Sequence, residues 1–181
     1  MPLIELKLRG PCGLIDGEEP VFAAPDAWQP GIYFWSYLFN RSDRIHRIGV
    51  AHDSVARAQA EHVRAMLAGE LPINLAAERE QGSLNCCYEP ADGIERFLTH
   101  SDDLAAQMRA LRVFYAPLAG DDELRVRIST AIARHITNLG GKAVAWLHGD
   151  SAPAPAVADG DMTVRFYRPV HMASMPDELV V

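Results

Sequence analysis

The stretch from residue 31 to residue 69 constrains the fold more than any other part of the chain. Residues 31–39 (GIYFWSYLF) are rich in β-branched and aromatic side chains and read as a strand. Asn40 to Arg44 supplies Asn, Ser and Asp, the side chains of a turn, and Ile45 to Val50 returns as a second strand. The pair predicts a β-hairpin. Asp53-Ser54 then offers a helix N-cap. Val55 to Leu67 follows at helical spacing, with Val55, Ala58, His62 and Met66 on one side and Gly69 just past the end. This order brings the Tyr33 hydroxyl and the Arg57 guanidinium toward one place. A phenol that takes a proton and an arginine that holds a phosphate are what phosphodiester cleavage needs.

The remaining elements fall on either side of this unit. Leu3 to Leu8 alternates apolar and polar residues and reads as a strand, and Pro11 to Pro30 reads as a connecting loop. Leu71 to Pro90 has no clear period and predicts an irregular excursion, with a short helix at residues 78–80. Ala91 to Ala110 reads as a helix broken near Ser101, and Arg112 to Leu118 as a third strand. Gly120-Asp121-Asp122 caps a helix from Glu123 to Leu139, whose Leu124, Ile128, Ile132 and Ile136 form a buried stripe. Residues 151–161 read as a linker, Thr163 to Pro169 as a last strand, and residues 175–181 as a weakly packed tail. The sum is an α+β domain: a small antiparallel β-sheet of three central strands flanked by helices, with extra N- and C-terminal strands. The expected division is an N-terminal strand and loop over 1–29, the central domain over 30–139, and a C-terminal extension over 140–181 that packs on the same domain.

Bulk properties narrow the setting. A hydrophobic content of 49% is ample for a core. No apolar run is long enough for a transmembrane helix, and the N-terminus does not read as a signal peptide. Cys12, Cys86 and Cys87 form neither a disulfide framework nor a zinc spacing, so the expected compartment is the cytoplasm. The net charge of −7 argues against a general nucleic-acid coat protein. The balance is local, however: residues 31–70 carry five arginines against four acids, the only positive stretch of the three between residues 1 and 127. That points to an anionic ligand at the hairpin and its helix.

Gly31-Ile32-Tyr33, then Ile48-Gly49 at the end of the next strand, then Arg57 eight residues further on, together resemble the GIY-YIG nuclease superfamily. The resemblance covers roughly residues 30–139. It implies a three-stranded antiparallel sheet flanked by helices, DNA as substrate, and one divalent metal such as Mg²⁺ held largely by a glutamate on a late helix. It implies that Tyr33 helps deprotonate the attacking water and that Arg57 stabilises the phosphate. A histidine or tyrosine about one turn beyond the arginine often assists in the family. Here that position is Glu61, and His62, five residues past Arg57, reaches the site only if the helix is rotated. Arg44, Arg47 and Arg64 are candidates to hold the substrate.

Two positions depart from the family pattern. Arg47 replaces the tyrosine of the second motif, and arginine binds phosphate but does not shuttle protons. The register of the metal glutamate falls on Ser129, and a serine is a poor sole ligand for Mg²⁺. Glu123 lies six residues earlier, roughly 9 Å along the helix axis, and Glu95 sits on a different element. His52, Asp53 and His62 lack the spacing of a metal cluster. Three readings follow: an active metal-dependent DNA endonuclease; a degenerate relative that binds nucleic acid or a protein partner without cleavage; and an acidic α+β interaction domain.

Overall fold

The hairpin forms where the residue pattern places it, with a tighter turn. In the computed structural model, β3 (Gly31–Phe39) and β4 (Ser42–Ala51) pair antiparallel, and Phe39 faces Ser42 across only Asn40 and Arg41. Both turn residues have positive φ, 49° and 62°. That is the backbone of a two-residue hairpin loop whose twist matches the strands. Ser42, Asp43 and Arg44, which read as turn residues, therefore belong to β4. Asp43 tolerates the strand because it is partnered: Ser36 Oγ donates to it at 2.8 Å and Arg112 lies 3.3 Å away.

The structure describes residues 2–15, 19–74, 79–80, 82, 93–141, 146–147 and 162–181, and the side chains of 93–99 are not among them. The excursion before the second helix and the linker at 151–161 lie mostly or wholly outside these residues, as do Cys86 and Cys87. In chain order the remaining elements are β1 (Leu3–Lys7), β2 (Arg9–Gly13), α1 (Val55–Leu67), α2 (Gly93–Ala110), β5 (Arg112–Pro117), α3 (Asp122–Leu139), β6 (Thr163–Tyr167), β7 (Met172–Ala173) and β8 (Glu178–Val180). The larger sheet has the order β2-β5-β3-β4-β7, with the antiparallel trio β5-β3-β4 at its centre. A smaller sheet has the order β1-β6-β8. This is the α+β architecture expected, with α1 capped at Ser54, whose Oγ accepts from the Arg57 backbone N–H. The break in α2 falls at His100. Among the described residues no helix is long and apolar enough to cross a membrane.

Two expectations at the chain ends are corrected. The segment from Pro11 is not all loop: β2 pairs with β5 through Arg9–Tyr115 and Cys12–Val113. It is an edge strand, where a proline costs no ladder bond. The tail is not weakly packed either. β8 pairs antiparallel with β6, Val181 exchanges backbone hydrogen bonds with Met162, and the Val181 side chain is buried. Sequence alone hid this because three residues, Glu178–Val180, carry too little pattern to register as a strand.

The larger sheet buries both faces. On one, Tyr33, Trp35, Tyr37, Val113 and Tyr115 pack with Val55, Ala56 and Met66 of α1. On the other, Ile32, Phe34, Ile48 and Phe114 pack with Ile128, Ile132 and Ile136 of α3, and Val164, Phe166 and Val181 join that core. β6 and Val181 are thus part of this core.

Two glycines are sterically required at the centre of the sheet. A Cβ on Gly31 would lie 2.3 Å from the Ala116 carbonyl oxygen of β5. A Cβ on Gly49 would lie 2.1 Å from Cζ of Tyr33 and 2.2 Å from its hydroxyl. Tyr33 and Gly49 are direct cross-strand partners, so the phenol lies over the bare backbone. Gly49→Ala is expected to destabilise the protein by about 1–3 kcal/mol through overpacking. In a Tyr33→Ala background the same change should cost far less. Urea unfolding of the four variants measures both costs, and equal costs in the two backgrounds would remove the ring as the reason for the glycine.

Candidate functional site

The side chains of one sheet face set up the site. Alternation along β3 sends Tyr33, Trp35 and Tyr37 toward α1. β4 carries a bulge opposite them: Trp35 faces Arg47 and Ser36 faces Ile45, so His46 is the extra residue. The bulge lets both His46 and Arg47 reach the aromatic face. The His46 ring lies 5.3 Å from that of Tyr37, and the Arg47 guanidinium lies 5.5 Å from the Trp35 ring.

α1 closes over this face in a rotation fixed by two polar side chains. Gln59 is fully buried, and its Oε1 accepts from Trp35 Nε1 at 2.6 Å. His62, three residues on and therefore on the same helix face, has Nε2 2.6 Å from the Tyr33 hydroxyl. Its ring packs edge-on against Trp35 at 4.9 Å. The rotation that His62 needs to reach Tyr33 is the one the helix adopts. Arg57 is then turned away by about 140° at 3.6 residues per turn. It is exposed and pairs with Asp53 at 3.4 Å, and no described contact joins it to Tyr33.

The electrostatics leave both members of the pair uncharged at neutral pH. Burial raises the Tyr33 pKa, the charge and hydrogen bond of Arg47 oppose the rise, and Glu61 adds to it. Burial, then the charge of Arg47, lowers the His62 pKa from 6.5 to about 4. Neutral imidazole offers one acceptor nitrogen. When that nitrogen is Nε2, the phenol donates to it while its oxygen accepts from Arg47, which leaves one lone pair for a third group. The other arginines take up different places. Arg44 stands opposite Tyr37 and has a buried Nε without a hydrogen-bond partner among the described residues. Arg64 is exposed and forks onto Glu70 through two contacts of 3.2 Å.

Among the described residues, those at the expected positions do not fit the divalent ion that the resemblance implies. Ser129 Oγ donates to the Val126 carbonyl of its own helix at 2.9 Å. α3 packs on the opposite face of the sheet from Tyr33. Glu123 is exposed in the first turn of α3, where its backbone N–H is capped by the Asp121 carboxylate. The Glu95 side chain falls outside the described ones. His52 pairs with Asp122 at 3.0 Å, not with His62. Among the described residues no group of three or more His, Cys, Asp or Glu side chains is placed to hold a metal.

Sequence reasoning missed several polar residues on this face. Asn74 Nδ2 donates to the Tyr37 hydroxyl at 3.2 Å and lies 3.3 Å from His46 Nε2, while its backbone N–H donates to Gln107. Tyr115, beside Tyr33 on β5, donates to Asp26 at 2.7 Å. These pairs span 28 to 89 residues, and no local pattern announces them. No protein-family model matches the chain, and neither does any curated protein or solved structure.

A pH dependence follows from His62. Its folded pKa lies below the ordinary 6.5, so between that value and about 4 the unfolded chain binds the extra proton. Stability contributed by the neutral imidazole is present above this window and is lost as pH falls through it. The melting-temperature advantage of wild type over His62→Gln is expected to shrink as pH is lowered from 6.5 toward 4. A gap that stays constant would contradict a buried neutral His62.

Proposed function

We propose that the chain is a GIY-YIG-like endonuclease that hydrolyses DNA phosphodiesters. The observation that carries the reading is the 2.6 Å contact between the Tyr33 hydroxyl and His62 Nε2, with Arg47 beside both. A hydrogen-bonded acid–base pair next to a guanidinium is a site that moves a proton while holding an anion. In this reading a phosphate sits against Arg47 and offsets its charge, which makes protonation of His62 less costly. As water attacks phosphorus, its proton goes to the Tyr33 oxygen and the phenol proton passes to His62. The P–O bond to the leaving group breaks, and the leaving oxygen takes a proton from solvent. The buried free thiol of Cys12 suits a cytoplasmic setting.

A second reading is favoured by a specific observation. Ser129 at the metal register, on the far side of the sheet, suits a degenerate relative that binds nucleic acid or a protein partner without cleavage. A fold does not carry its usual activity with it. Incubation of plasmid and branched DNA with the protein, in Mg²⁺, Mn²⁺ or EDTA, separates the two. The endonuclease reading expects cleavage that Tyr33→Phe, His62→Ala and Arg47→Ala each reduce by at least about 100-fold, with Tyr33→Phe still binding DNA. Binding without cleavage by folded wild-type protein selects the second reading. The absence of both binding and cleavage sinks the endonuclease and the nucleic-acid form of the second reading, and leaves only a protein partner.

A further inference from the structure

A second feature lies on the same sheet face as Tyr33. Tyr37, Phe39 and Trp146, with Leu38, Arg79 and Glu80, line a cleft of about 440 Å³ at the turn end of the hairpin. Its lining is aromatic: Tyr37 and Trp146 are buried, and Phe39 is the partly exposed ring. Phe39 and Trp146 have ring centroids 5.5 Å apart, Tyr37 and Trp146 6.4 Å, and the Arg79 guanidinium lies 5.3 Å over the Tyr37 ring. Aromatic and guanidinium planes are the surfaces on which unpaired bases stack. Arg79 and Glu80 add a donor and an acceptor suited to the edge of a base. The volume falls in the range of small-ligand sites.

The cleft is linked to Tyr33 by positive charge. Tyr33, Trp35, Tyr37 and Phe39 follow one another on one face of β3, so the cleft begins about 13 Å from Tyr33 and reaches about 20 Å at Phe39. Arg47 stands opposite Trp35 and Arg44 opposite Tyr37, which places two arginines along that interval. A strand with anionic linkages and planar bases matches both the charge and the aromatic lining.

We propose that this cleft receives one unpaired nucleobase of a nucleic-acid strand whose backbone runs along Arg44 and Arg47 to Tyr33. The proposal rests on the reading of the Tyr33 site as one that binds nucleic acid. It makes the protein selective for single-stranded or branched substrates, because a paired base cannot enter the cleft.

Oligonucleotides carrying a single 2-aminopurine at successive positions, in DNA and in RNA, test it in EDTA, where binding is read without metal-dependent cleavage. Quenching on binding is expected at one register and not at the others. Phe39→Leu, which keeps an apolar side chain but removes the ring, should weaken single-strand binding about tenfold and blunt-duplex binding by less than about twofold. Arg79→Gln should reduce the quenching at the same register. The pattern on either DNA or RNA supports the cleft and tells which strand supplies the base. Uniform quenching, or unchanged single-strand binding by folded Phe39→Leu, overturns the cleft while leaving the Tyr33 site intact. Failure of folded wild-type protein to bind any strand or duplex overturns both.

Discussion

The Tyr33 phenol, laid across Gly49 and hydrogen-bonded to His62, is the interaction on which the rest of this face depends. It joins three elements at one point: β3 supplies the ring, β4 supplies the bare backbone beneath it, and α1 supplies the imidazole above. Each condition is narrow. A Cβ on Gly49 has no room, and a one-residue slip of β3 against β4 would send the ring to the other face. The Trp35–Gln59 hydrogen bond, 2.6 Å long and buried, holds α1 in the rotation that keeps His62 over the phenol. Packing and the buried hydrogen bonds therefore share the same side chains.

Parts of this arrangement were legible in the residues. The hairpin, α1, β5 and α3 each carry a strong local period, and Ser54 and Gly140 mark helix ends where the structure has them. What escaped was set at long range. Arg57 and His62 looked like neighbours on one helix, but which of them faces the sheet is decided by Gln59, whose partner Trp35 is 24 residues away. The bulge in β4 that turns His46 to the aromatic face has no local signal in the residues either. Ser42 and Asp43 looked like turn residues because their composition is that of turns. Their partners Ser36, Arg112 and His171 make them strand residues instead.

The two faces of the sheet divide the labour. The α1 face carries the tyrosines, the histidines and the arginines of β4. The α3 face is an apolar core in which the helix contributes isoleucines and seals the smaller sheet. Ser129 has its hydroxyl spent within its own helix. A carboxylate at that position would belong to the α3 side, so whatever chemistry occurs at Tyr33 draws on α1 and β4. Arg47 is the residue best placed for it. It stacks on Trp35, lowers the proton affinity of His62 and favours the ionised form of Tyr33. An anion bound there would reverse its effect on His62.

That reversal gives the most direct test of the account. Titration of His62 by ¹⁵N NMR, in the free protein and with a short DNA strand bound, reports its tautomer and its proton affinity together. The account predicts an unprotonated Nε2 and a midpoint near 4 in the free protein, moving upward when the strand binds beside Arg47. A midpoint at the ordinary value of 6.5 that does not respond to DNA would contradict it.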